Sequence, residues 1–191
     1  MAKQTVPNSG LWSSIAALHN SNYTELYDKV QAGVYDYNDT ATAITPISLP
    51  TPGTFVNLTN NATGAFTNTA YALPGVSNLW ITGTQRFDWT SLELGDTVDI
   101  RLDVTLISTA NNQDFDISLF LAAGTGGEYQ IPFAVEKSFK SAGSRRFMEF
   151  NGVYMGDTNT RDNPALFKVK SSASATVVVH GWYVRVTKRV A

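Results

Sequence analysis

The chain contains no cysteine, which removes disulfides, thiolate nucleophiles and cysteine-based zinc sites together. Charge is scarce as well: 16% of the 191 residues are Asp, Glu, Lys or Arg, and the net charge is −2. Phosphate binding needs a basic surface, so nucleic acid is not expected as a partner. The pair Lys188 and Arg189 reads as a solvated tail. No apolar run approaches bilayer-spanning length, and no charged segment followed by an apolar run marks a secretory leader. Neither a membrane partner nor export is therefore expected, and synthesis in a cytoplasm follows. The Asn-x-Thr sequons at Asn22, Asn38, Asn57 and Asn61 then read as chance in an Asn/Thr-rich chain.

Histidine is nearly absent too. His19 and His180 are too far apart in sequence to suggest a metal or acid–base site, although they could meet across subunits. No Gly-x-Ser-x-Gly occurs, and neither histidine lies in a triad context. The carboxylates Asp99 and Asp103 flank Arg101, with Asp114 and Asp116 further along. Paired carboxylates can hydrolyse glycosides at particular separations. An alternating acid–base–acid row on a wet strand face is instead read as a cross-strand charge ladder. Residues 157–163, from Asp157 to Asn163, have the spacing of oxygen ligands for calcium but lack the glycine and terminal glutamate of an EF-hand loop. Gly124-Thr125-Gly126-Gly127 has no lysine and no following helix, so it is a hairpin turn and not a phosphate cradle. The expectation is a protein that is not an enzyme, with no metal and no cofactor.

What the chain has in quantity is Thr, Asn, Val and aromatic residues, a composition that favours strands. The clearest is residues 97–107: Val98, Ile100, Leu102, Val104 and Leu106 face one way, Asp99, Arg101, Asp103 and Thr105 the other. Asn111-Asn112-Gln113 predicts a hairpin-like reversal, after which Phe115, Ile117, Leu119 and Leu121 alternate again. Further strands are predicted around Ile131 to Val135 and over 145–154, 165–170 and 175–188. In the last, Val177, Val179 and Tyr183 fall on one side and Val178, Trp182, Val184 and Val186 on the other, which predicts burial on both faces. Earlier, 40–49 suits an edge strand or two short ones, Pro50 to Gly53 a turn and 54–58 a strand. Residues 60–69 read as loop, with short aromatic strands at 78–82 and 86–89. Trp80, Trp89, Tyr71 and Phe87 invite a sugar-stacking reading, but core packing or a subunit interface is the better account. Many strands without intervening helices imply an antiparallel sandwich.

The front of the chain differs. Residues 1–10 read as an extended arm, and Ser9 caps a short helix carrying Leu11, Ile15 and Leu18 with Trp12 beside them. Trp12 is then buried either against a partner or against its own domain. Asn22 and Glu25 form a capping-box variant at the start of a second helix. Tyr23, Leu26, Tyr27 and Val30 make its apolar stripe, and Gly33 ends it. A helix that short is marginal in water, so its stripe must be covered.

The string Asn20-Ser21-Asn22-Tyr23-Thr24-Glu25-Leu26-Tyr27-Asp28-Lys29-Val30 resembles the N-x-N-[FY]-T-E-L-Y segment near the N-terminus of tailed-bacteriophage fibre and other virion proteins. It covers about a dozen residues. Tyr23 stands where Phe is commoner, and no long repetitive shaft follows, which favours a compact module. The resemblance implies attachment and trimerisation rather than chemistry, with Leu11, Trp12, Ile15, Leu18, Tyr23, Leu26, Tyr27 and Val30 as the partner-binding residues.

The resulting expectation is a mainly β protein: residues 1–40 an anchoring arm with one or two short helices, residues 41–191 an antiparallel jelly-roll β-sandwich similar to the tumour-necrosis-factor type. Such sandwiches form three-fold trimers with an aromatic-rich face turned to the axis. The implied function is a homotrimeric capsid decoration, or cement, protein of a phage virion. It would bind the major capsid protein or other virion proteins after synthesis in the bacterial cytoplasm. The alternative is a tail-fibre or receptor-binding knob.

Overall fold

The computed structural model describes residues 13–15, 18, 31–39, 41–59, 67–76, 78–134 and 138–189. Twelve strands lie among them: β1 (Ala32–Asn38), β2 (Ile47–Leu49), β3 (Val56–Asn57), β4 (Asn68–Tyr71), β5 (Trp80–Ile81), β6 (Arg86–Phe87), β7 (Thr97–Ser108), β8 (Phe115–Leu121), β9 (Tyr129–Ala134), β10 (Gly143–Tyr154), β11 (Leu166–Ser171) and β12 (Ala175–Thr187). A six-stranded sheet runs β10-β7-β12-β1-β4 with β2 also on β12, a four-stranded sheet runs β3-β11-β8-β9, and β5 and β6 form a hairpin. Every described strand pair is antiparallel. The eight strands β1, β3, β7, β8, β9, β10, β11 and β12 can be ranked first to eighth along the chain. Their spatial order is then first-eighth-third-sixth in one sheet and second-seventh-fourth-fifth in the other. That order is two interlocked Greek keys, a jelly roll.

Period-two patterning builds this sandwich. In β7 every even-numbered residue from Val98 to Ser108 is buried and every odd-numbered one is not, so one face meets the opposite sheet. Between the sheets Trp182 is buried against Tyr37 (ring centroids 5.2 Å apart), Trp80 (5.0 Å), Phe87 (5.6 Å) and Phe167 (6.3 Å). Phe87 stacks on Trp89 at 5.1 Å. Trp80, Phe87 and Trp89 are thus core residues carried by the β5–β6 hairpin and its flank, as the packing reading expects; Tyr71 is 76% exposed.

Four sequence expectations change. Residues 32–38, assigned to the arm, are strand β1 of the six-stranded sheet, because Gly33 to Asn38 pair along β12 from Val186 to Gly181. Gly33 is accordingly a strand residue and not a helix terminator: a Cβ there would sit 2.5 Å from the Leu73 nitrogen. Asn111 to Gln113 do not make a hairpin, since β7 and β8 belong to different sheets. The Gln113 amide instead joins them. Its Oε1 accepts from Ser108 Oγ (2.8 Å), Thr109 N (3.0 Å) and Ala110 N (3.1 Å), while its Nε2 donates to Ser171 Oγ (2.7 Å), Ala173 O (3.0 Å) and Ser174 O (3.1 Å).

The fourth change concerns β12. Val179 pairs with Val104 and Gly181 with Asp103, leaving His180 as the extra residue of a β-bulge. One added residue reverses the phase, so Val177 and Val179 share the core with Trp182, Val184 and Val186, whereas Val178 and Tyr183 lie on the outer side. Where β12 passes from β2 to β1, the Thr42 hydroxyl fills the gap in the ladder. It accepts from Val179 N at 2.9 Å and donates to Val179 O at 2.7 Å. Gly181 has φ 154°, and a Cβ there would collide with the Tyr37 carbonyl oxygen.

Gly181→Ala should therefore destabilise the fold by about 2 kcal/mol or more through backbone clash and an unfavourable φ, read as a lower urea midpoint at unchanged slope. Gln113→Leu, which strands several buried donors and acceptors, should cost roughly 3 kcal/mol in the same assay.

Candidate assembly surface

The outer face of the six-stranded sheet is built by the residues that alternate away from the core. Strand β10 contributes Arg146, Met148, Phe150 and Tyr154, β7 contributes Asp99, Arg101, Asp103 and Thr105, and β12 contributes Tyr183 and Arg185 across from them. Asp36 of β1 lies opposite Tyr183, and Tyr71 of β4 opposite Val34. Met148, Phe150 and Tyr154 are 63%, 60% and 62% exposed. On its solvent side strand β10 thus carries Met148, Phe150 and Tyr154 beside Arg146, while Val153 points into the core.

The charges on this face are arranged as rungs. Arg146 binds Asp103 bidentately, Nε to Oδ1 at 2.7 Å and Nη2 to Oδ2 at 2.6 Å. Arg101 lies over the Tyr183 ring at 5.3 Å, and Arg185 stands opposite Asp99. The Arg146 hydrogen bonds, helped by the charges of Arg146, His180 and Arg101, hold the Asp103 carboxyl below the usual aspartate range against the opposing effect of its partial burial. Arg101, Arg146 and Arg185 balance Asp36, Asp99 and Asp103. The ladder reading of this row is what the geometry contains, and Asp114 and Asp116 stand at β8 in the other sheet. His180, the bulged residue, places Nε2 2.8 Å from Thr105 Oγ1.

The remaining sequence candidates are placed as follows. Leu11, Trp12, Tyr23, Leu26, Tyr27, Val30 and His19 lie outside the described residues. Ile15 and Leu18 are helical and 40% and 64% exposed. The oxygen-rich 157–163 stretch contains the one-turn helix Thr158–Asp162, with Asp157 Oδ1 capping Thr160 N at 2.7 Å and Arg161 paired with Asp162. Those capping bonds lower the Asp157 pKa. Gly124 to Gly127 form the turn between β8 and β9. There Gly124 N donates to Glu128 Oε2 at 2.8 Å, a bond that together with Lys168 lowers the Glu128 pKa. Lys188 and Arg189 are not a free tail: Lys188 Nζ is 4.0 Å from Glu93 Oε1, and Arg189 N donates to the buried Asp96 Oδ1 at 2.8 Å.

On the outer side of the four-stranded sheet, Phe55, Phe120 and Leu166 form a small cluster roofed by Lys168, 3.9 Å above Phe120, and Lys170, 4.5 Å above Phe55. Beside it lies a cavity of about 270 Å³ lined by Gly53, Asp114, Asp116, Lys170 and Ser172, where Lys170 Nζ is 3.2 Å from Asp116 Oδ2. Among the described residues no group of three or more His, Asp or Glu side chains could hold a metal ion.

The Asp103 rung should make stability depend on pH with a definite sign. Its folded-state pKa is below its unfolded one, so the contribution is full at neutral pH and is lost as pH falls through the depressed value. Urea midpoints measured across the acid range should fall more steeply for the parent protein than for Asp103→Asn, which lacks the titrating group.

No family model and no curated protein matches this chain. Solved structures do. A chain of infectious bursal disease virus Gx strain has a TM-score of 0.45 at 7% identity, over 84% of this chain and 32% of its own. The Eiger TNF of S. frugiperda has a TM-score of 0.43 at 8% identity, over 85% and 94%. The CBM22-1 xylan-binding domain of Paenibacillus barcinonensis Xyn10C has a TM-score of 0.39 at 12% identity, over 84% and 96%. This chain thus spans about a third of the bursal-disease-virus chain it matches. The jelly-roll assignment rests on the strand order given above.

Proposed function

We propose that the chain is a non-enzymatic virion structural protein, a homotrimeric jelly-roll module that decorates a phage capsid and cements neighbouring shell subunits. The observation that carries this reading is the outer face of the six-stranded sheet, where Met148, Phe150 and Tyr154 stand in solvent beside a ladder whose charges cancel. Burying unpaired charge is costly, but Arg146 and Asp103 already satisfy one another, so covering them against a second copy strands neither. A face with no charge excess also meets its own copy without net repulsion. A stable interface of this kind removes about 1,200–2,000 Å² from water.

The N-terminal residues, including Leu11, Trp12, Tyr23, Leu26, Tyr27 and Val30, would then serve as the anchor to the particle, in keeping with the phage-like string they contain. Anchoring acts by mass action: each copy bound across shell subunits lowers the free energy of the assembled state relative to its dissociated parts. The cavity beside Lys170, lined by Phe115 as well as by Asp114 and Asp116, supports a second reading, a receptor-binding knob.

In solution the full chain should sediment as a trimer, and Phe150→Asp should weaken that association at least about 30-fold, as loss of an interface hot spot does. Removing residues 1–30, which leaves β1 whole, should keep the trimer and abolish binding to particles. A monomeric full-length protein with an intact circular dichroism spectrum would overturn the trimer, and particle binding by the truncated chain would overturn the anchor. Decoration further requires copies on the order of hundreds per purified particle, whereas a tail tip gives a few tens.

A further inference from the structure

The sequence contains a single Asn-Gly dipeptide, Asn151-Gly152. That pair is usually turn chemistry, yet here it lies inside the 12-residue strand β10, opposite Ile100 and Asp99 of β7. Close approach explains the glycine: a Cβ at 152 would stand 3.2 Å from Asp99 Oδ1. The missing Cβ has a chemical consequence as well, because Gly152 puts no side chain of its own beside its nitrogen. The Gly152 N–H donates to Asn151 Oδ1 at 2.8 Å, so the asparagine side chain is folded back onto the peptide nitrogen that follows it. Its carbonyl carbon is one bond from that oxygen. Strand β10 is also the edge of its sheet, so within that sheet only β7 resists rotation of the Asn151 peptide unit.

We propose that Asn151 is a self-modification site at which the chain deamidates through a cyclic imide. The Gly152 nitrogen attacks Asn151 Cγ, forming a C–N bond. The Cγ–Nδ2 bond breaks, and Nδ2 leaves as ammonia with the proton given up by the Gly152 nitrogen. Water then opens the five-membered succinimide at one of its two carbonyls. Opening at Cγ gives aspartate at position 151; opening at the backbone carbonyl gives isoaspartate, with the chain routed through the side chain. The proximity of nucleophile and electrophile within one residue supplies the advantage of an intramolecular reaction.

Both products alter this edge. Asn151 Nδ2 now donates to Pro132 O, 3.4 Å away in the neighbouring sheet, and a carboxylate there presents an acceptor to an acceptor. Isoaspartate in addition lengthens the backbone by one carbon, which shifts the register of Val153, now in the core, and of Tyr154, now in solvent. The modification would therefore act as an ageing mark on the margin of the exposed aromatic face.

The test is incubation of the intact, folded protein at mildly alkaline pH, followed by intact-mass and peptide mass spectrometry with isoaspartate detection. The expected result is replacement of one amide NH₂ by OH, confined to the peptide containing residues 151 and 152. Both Gly152→Ala and Asn151→Gln should lose it while keeping the parent circular dichroism spectrum. A urea-unfolded sample serves as the reference for an unprotected Asn-Gly pair. If the folded protein stays unmodified at position 151 under conditions that convert the unfolded chain, the proposal is overturned. Equal modification in Gly152→Ala overturns it as well.

Discussion

The architecture depends on one extra residue in its central strand. Strand β12 carries β7 along one edge and both β2 and β1 along the other, so its own phase decides what every neighbour meets. The bulge at His180 lets Val177 and Val179 share an inner face with Trp182, Val184 and Val186. Without it, Trp182 would point to the outer side and the aromatic cluster of Tyr37, Trp80, Phe87 and Phe167 would lose its centre. The bulge is secured from outside the strand, by the Asp39 N–H on His180 O at 2.9 Å and by the Thr42 hydroxyl on both polar groups of Val179.

The same event shapes the opposite surface. Because the phase reverses, Tyr183 and Arg185 face outward opposite Arg101 and Asp99, and the row of alternating charges on β7 gains partners on both sides from β10 and β12. The charges of the outer face are thereby balanced within the chain, and beside them Met148, Phe150 and Tyr154 are exposed.

Much of this was legible in the sequence. The alternation of 97–107 is strong because that strand has one side less buried than the other, and 115–121 alternates because Asp116 and Ser118 interrupt its apolar residues although Ser118 and Phe120 are themselves buried. What failed were features with non-local causes. Residues 32–38 look like an exit from a helix because the strand they pair with lies at the far end of the chain. The periodicity of 175–188 misassigns Tyr183 and Trp182 because a bulge leaves no compositional mark. Turn chemistry at Asn111-Asn112 says that the chain reverses but not that it changes sheet. The exposed apolar residues of β10 carry a signal in the sequence: Met148, Phe150 and Tyr154 recur on the face opposite Phe147 and Val153.

Gln113 shows why an amide rather than an acid occupies the corner of the sandwich. Six contacts converge on it, three presented to its oxygen and three taken from its nitrogen. A carboxylate could serve only the first three, and as a buried anion would need a cation among Ser108, Ser171 and Ser174, where there is none. Being neutral, the glutamine neither titrates nor responds to salt. Acid or ionic strength that loosens the Arg146–Asp103 pair on the outer face leaves this joint between the sheets as it was, so the sandwich would lose its surface bridge before its corner.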